Sequence, residues 1–153
     1  TKESEDLLNA IHQQVVESDS KGAECIVCVE NPHRRGACYP QTNMKNVKPG
    51  MPAYDEELFG PVASVIKVKD EQEAIRVAND TNFGLGAAVF TQNLKKGEHI
   101  DEMELEAGAC FVNDFVKSDP RLPFGGIKQS GYGRELSDFG IREFVNIKTV
   151  YVK

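Results

Sequence analysis

Segments with helical spacing of apolar residues alternate with short apolar runs along nearly the whole chain. This alternation constrains the fold more than any other feature. Leu7, Leu8, Ile11 and Val15 recur at helical spacing within residues 4–19, and Gly22 beyond them suits a C-terminal cap. A strand is expected at 23–29, an extended piece at 37–41 and another strand at 62–68. Asp70 reads as the N-cap of a helix over 70–79, with Glu73 three residues on as in a capping box. Ala74, Ile75, Val77 and Ala78 form the apolar stripe of that helix. A strand opening at Gly84 and running to Phe90 follows, then a helix over 93–105 weakened by Gly97, and a strand at 109–113. A long loop over 114–132 leads to a helix at 134–144 and a last strand at 147–153. The pattern predicts an α/β domain with a mainly parallel sheet and flanking helices.

At 153 residues the chain fits one domain with a core of its own. The net charge of −6, without any basic run, argues against nucleic acid as a partner, and no apolar run is long enough for a membrane span. The acidic start, Thr1 to Asp6, is not a signal peptide, and without an initiator Met the chain is expected to be processed, trimmed or cut from something longer. Cys25 and Cys28 form a C-x-x-C, but they sit in an apolar run and no second Cys or His pair completes a zinc site. No metal is therefore expected. All four cysteines read as structural thiols in a reducing, cytoplasmic compartment. His12, His33 and His99 lack an oriented nucleophile partner and read as surface or core-edge residues.

Three motifs carry chemistry. In Glu57-Leu58-Phe59-Gly60-Pro61-Val62, a carboxylate and a ring stand two apart ahead of a Gly-Pro corner. If extended, they share a face and suit a polar, ring-bearing ligand such as a nucleotide cofactor. Phe59 in the core with Glu57 solvated is the competing reading. The run Leu122 to Glu135 is dense in glycine and precedes a helix, so it could cradle phosphate, but its glycines also suit close backbone packing, and it lacks the P-loop frame. Lys117, Ser118 and Arg121 cluster in the long loop, either as an anion site or as a solvated surface.

Taken in order, the motifs resemble the C-terminal part of the NAD(P)-dependent aldehyde dehydrogenase superfamily. They are Glu57 to Val62, Asn82-Phe83-Gly84-Leu85, Ala88 to Thr91, Gly108 to Asn113, Pro123 to Gly131, Gly133-Arg134-Glu135-Leu136 and Lys148 to Val152. Within that superfamily the wording is closest to bacterial succinate semialdehyde dehydrogenases. The resemblance implies that Glu57 bonds the nicotinamide-side ribose of NAD or NADP and that Phe59 packs against the nicotinamide end. It implies a relay role behind the active site for Glu135, with Arg134 in structural pairing. Phe115, Lys117, Ser118 and Arg121 become candidates for contact with a small aldehyde. Residues 1–133 would belong to the catalytic domain, and 134–153 would supply a last helix and a strand used in homo-oligomerisation.

The family's chemistry uses a Cys nucleophile that forms a thiohemiacetal, hydride transfer to the nicotinamide, and hydrolysis of the thioester by an activated water. That Cys stands in a Gly-Gln-x-Cys type context, which does not occur in this chain. The chain is therefore expected to be part of such an enzyme and inactive alone. A stand-alone binding or assembly module, joined to partners through its last strand, is the alternative.

Overall fold

The computed structural model describes residues 5–27 and 38–153. They form two compact units, Thr1–Lys69 and Asp70–Lys153, each with its own secondary structure.

The first unit opens with α1 (Glu5–Ser20), whose Leu8, Ile11 and Val15 are buried as their spacing requires. Its end is a Schellman motif. Ala23 N–H donates to the Ser18 carbonyl (3.0 Å) and Gly22 N–H to the Asp19 carbonyl (2.9 Å), while Gly22 takes φ +103°. The chain continues through β1 (Glu24–Val27), β2 (Thr42–Lys45), α2 (Pro52–Asp55) and β3 (Val62–Val65). β2 is the central strand, antiparallel to β1 and parallel to β3, with Thr42 opposite Val62 and Lys45 opposite Val65. Met44 on β2 and Ile11 on α1 are almost fully buried in one apolar cluster with Val47 and Met51. Each such side chain contributes roughly 2–3 kcal/mol of burial. Ser18 is also fully buried, and its hydroxyl is satisfied at both ends: it donates to the Gln14 carbonyl (2.8 Å) and accepts from Ala53 N–H (2.9 Å).

The second unit contains α3 (Glu71–Asn79), β4 (Phe83–Gly84), β5 (Gly86–Val89), α4 (Leu94–Met103), β6 (Ala109–Val112), β7 (Ile127–Lys128) and α5 (Ser137–Arg142). Asp70 caps α3 by accepting from Glu73 N–H (2.8 Å), and Asn93 caps α4 by accepting from Lys96 N–H (3.2 Å). β5, α4 and β6 make a βαβ turn of parallel strands, with Gly86 opposite Ala109 and Val89 opposite Val112. Gly97 has a packing reason within α4: a Cβ there would stand 2.8 Å from Val112 Cγ1, so its absence lets the helix approach β6. β4 pairs antiparallel with β7.

Several expectations are corrected. Among the described residues the strands do not join one mainly parallel sheet; three small sheets form, with two parallel and two antiparallel pairings. The second extended piece is β2 at 42–45, just beyond the expected 37–41. The last helix begins at Ser137 because residues 134–136 are held in other contacts, described below. Residues 147–153 adopt no strand: their alternating pattern has no neighbouring strand to bond. Cys25 is disulfide-bonded, so thiol usage no longer argues for a reducing compartment; Cys38 and Cys110 are free thiols. Cys28, His33 and the turn at Asn31-Pro32 and Arg35-Gly36 lie outside the described residues.

Candidate functional site

In the first unit, residues 57–59 leave α2 without regular structure. Leu58 packs against the core cluster. Its neighbours Glu57 and Phe59 are both exposed, Phe59 at 68%. With Leu58 turned inward, the flanking carboxylate and ring are both left on the outside. Two tight contacts, Gly60 N–H to the Leu58 carbonyl and Val62 N–H to the Gly60 carbonyl (both 2.8 Å), then swing the chain into β3. Gln14 Nε2 donates to the Glu57 carbonyl (3.3 Å), so the main chain of Glu57 is held from α1. Among the described residues nothing pairs with its carboxylate. The reading of Phe59 as core is excluded by its exposure.

In the second unit, β6 leads into the loop 114–124. A cavity of about 160 Å³ lies between them, lined by Ala109, Cys110, Phe111, Lys117, Asp119, Leu122, Pro123 and Phe124. Its walls are apolar with one acid and one base among them. Of the four loop candidates, Lys117 reaches this cavity; Phe115, Ser118 and Arg121 are exposed and do not line it. Both loop cations are already paired. Lys117 Nζ bonds the Asp114 carboxylate and stands 5.1 Å from the Phe115 ring centroid. Arg121 grips Asp119 with both Nε (2.9 Å) and Nη2 (2.6 Å). The Arg121 side chain and then its backbone N–H hold the Asp119 carboxyl far below the usual range. Hydrogen bonds from Lys117 and from Phe115 N–H lower Asp114 likewise.

Cys110 lines the cavity as a half-buried thiol. Burial, and then the charge of Asp101 on α4, pushes it above its ordinary range. Asp101 is itself raised by burial, and its Oδ1 is buried without a hydrogen-bond partner. This thiol is shielded and reluctant to ionise, which is the opposite of an activated nucleophile.

The glycine-rich run is a packing knot. A Cβ on Gly108 would stand 1.9 Å from the Gly125 carbonyl oxygen, and one on Gly125 would stand 2.3 Å from that of Gly133. These contacts support the close-packing reading of the run at Gly108 and Gly125. Lys128 Nζ ties the knot to the Asn79 carbonyl at the end of α3 (2.9 Å) and to Glu106, which stands between α4 and β6 (2.8 Å). Arg134 Nη1 donates to the carbonyls of Gly126 and Gly133 (both 2.8 Å). Glu135 is exposed, and its backbone bridges Phe124. Leu136 and Ser137 follow with φ of 65° and 50°, so the helix cannot start earlier.

Asp119, Phe124 and Cys110 are site residues that sequence reasoning passed over. The charge order was a usable signal: an acid stands within three residues of each loop cation.

The profile of the aldehyde dehydrogenase family matches residues 3–150. Succinate semialdehyde dehydrogenase [NAD(P)+] Sad of Escherichia coli K12 is 43% identical over 146 residues, covering 95% of this chain and 31% of that protein. A probable succinate-semialdehyde dehydrogenase [NADP(+)] of Synechocystis is 46% identical over 147 residues, covering 96% and 32%. The crystal structure of succinic semialdehyde dehydrogenase from Streptococcus pyogenes, in complex with NADP+, superposes with a TM-score of 0.91 at 38% identity, covering 97% of this chain and 32% of that one. The chain thus spans about a third of the length of the relatives it matches.

Proposed function

The chain belongs to the aldehyde dehydrogenase family, and from that premise we propose that it is part of an enzyme oxidising an aldehyde to its carboxylic acid with NAD or NADP. The observation that carries this reading is the outward pair Glu57 and Phe59, aimed by Leu58. An unpaired carboxylate accepts hydrogen bonds from ribose hydroxyls, and an exposed ring offers a face for nicotinamide, so these residues fit the cofactor. The cofactor supplies hydride acceptance when bound. This chain's part is to orient its reactive end through Glu57 and Phe59, to wall the aldehyde side with the 114–124 loop, and to relay protons through Glu135. The nucleophilic Cys lies elsewhere in the enzyme.

The names of the relatives support succinate semialdehyde as the substrate. The division of labour is residues 1–133 in the catalytic domain and 134–153 in a homo-oligomer contact, in a cytoplasmic enzyme. Among the described residues no helix is long and apolar enough to cross a membrane. In the complete enzyme Glu57→Gln is expected to slow hydride transfer or raise the KM for the cofactor; unchanged kinetics would refute its role. The 153-residue chain alone is expected to form no NADH from aldehyde, and measurable formation would sink the reading.

The exposed apolar tail favours a second reading. Phe144, Ile147, Tyr151 and Val152 are each more than four-fifths exposed, which suits an assembly module that joins partners without catalysis. Sedimentation showing a clean monomer at high concentration would count against both the module and the oligomer contact.

A further inference from the structure

Asn113 follows the last residue of β6, and its N–H continues the ladder by donating to the Val89 carbonyl (2.8 Å). Its backbone then turns to φ 56°, a left-handed conformation that Asn tolerates better than most residues. The side-chain amide meanwhile faces Thr91. Oδ1 accepts from Thr91 N–H (2.8 Å) and Nδ2 donates to the Thr91 carbonyl (2.9 Å). In the parallel ladder of β5 and β6 the Thr91 N–H would bond the Asn113 main-chain carbonyl and the Thr91 carbonyl would take the N–H of residue 115, so the side-chain amide supplies both missing groups. Thr91 is fixed in turn, because its Oγ1 accepts from Asn93 N–H (3.1 Å) at the cap of α4.

We propose that Asn113 is a positioning residue whose side-chain amide stands in for the next donor and acceptor of the parallel ladder, tethering the root of the 114–124 loop while the main chain departs. The main chain and the side chain are thereby uncoupled at one position: the ladder gains a step, and the loop is released in a fixed direction. Lys117, Asp119, Leu122 and Pro123 all lie downstream of this root, so the cavity they line with β6 is preformed. The function of this tether rests on the reading that the loop walls the aldehyde side. Its physical test uses the chain alone without substrate, so the two can fail separately.

The test is a graded series in which every member accepts a positive φ: Asn113 with both bonds, Asn113→Asp with the acceptor alone, and Asn113→Gly with neither. Hydrogen exchange resolved by residue, together with the alkylation rate of Cys110 resolved by peptide mapping, reads the loop. Exchange across 114–124 is expected to rise in the order Asn, Asp, Gly, by roughly tenfold for Gly, with Cys110 alkylation following and α1 and the β1–β3 sheet unchanged. Equal loop exchange in all three proteins overturns the proposal. So does acceleration spread evenly over the second unit, which marks general destabilisation rather than a tether. If both variants fail to fold, native-state exchange of the unaltered chain in dilute urea decides. The tether requires residues 115–122 to open before β5 and β6, at lower urea; residue 113 opening first, with the loop still closed, overturns it.

Discussion

Phe124 and Glu135 exchange both of their backbone hydrogen bonds, at 2.9 and 2.8 Å, as an isolated antiparallel bridge across the neck of the glycine-rich knot. Residues so opposed put their side chains on one face, so a cavity-lining ring and an exposed carboxylate are neighbours by backbone geometry. Glu135→Gln leaves that bridge intact and is expected to change stability by less than about 0.5 kcal/mol. Phe124→Ala removes a half-buried ring and is expected to cost roughly 1–2 kcal/mol. Urea denaturation of both variants checks the contrast, and a large loss in the Glu135 variant would show that its carboxylate has a structural partner.

Close packing rather than backbone freedom explains Gly108. Gly108→Ala drives a methyl into the Gly125 carbonyl and is expected to cost about 3 kcal/mol, or to prevent folding of the second unit. Gly22→Ala meets open space and is opposed only by its positive φ, at about 1 kcal/mol. Thermal denaturation of the pair ranks them, and a milder effect at Gly108 would contradict the knot.

Phe59→Ala is expected to leave the stability of the chain within about 0.5 kcal/mol, because the ring is mostly solvent-exposed. The same change in the complete enzyme is expected to weaken cofactor use severalfold. A residue neutral to folding but costly to turnover has the signature of a contact; a destabilised chain with unaltered turnover would have the reverse.

Asp119 has a depressed native pKa, caused first by the hydrogen bond from the Arg121 side chain. Its ion pair therefore contributes fully above the unfolded value of about 3.9 and fades as pH falls through the native one. Asp119 is expected to stay ionised at pH values where an ordinary aspartate is half-protonated, and Arg121→Ala is expected to return it to the usual range. Carboxyl carbon shifts followed through an acid titration measure this, and a titration that ignores the substitution would show the pair to be absent in solution.

Helix α3 was legible because its signals are local. Asp70, Glu73 and the stripe that follows lie within one short window, and Asp70→Ala is expected to cost about 1 kcal/mol by urea denaturation. α1 and β6 were readable for the same reason. β2 was missed because only Thr42 and Met44 turn inward, and a polar Thr gives a weak alternation. β7 is two residues long and exists through its pairing with β4, which no local pattern announces. The tail at 147–153 fails in the opposite direction: alternation expresses propensity, and propensity without a bonding neighbour makes no strand. At the site, the outward aim of Glu57 and Phe59 followed from spacing once the segment was taken as extended. The neutralisation of Arg121 and the tether at Asn113 depend on side-chain partners, which spacing does not specify.

Leu58 separates aim from contact. The side chain that fixes where Glu57 and Phe59 point is one that itself faces the core. Substitutions at Leu58 that keep the core filled but alter its shape, such as Leu58→Ile or Leu58→Met, are expected to shift both outward groups together. On the proposed reading of Glu57 and Phe59, cofactor use would be tuned from beneath the binding surface, by a residue that a comparison of binding surfaces alone would overlook.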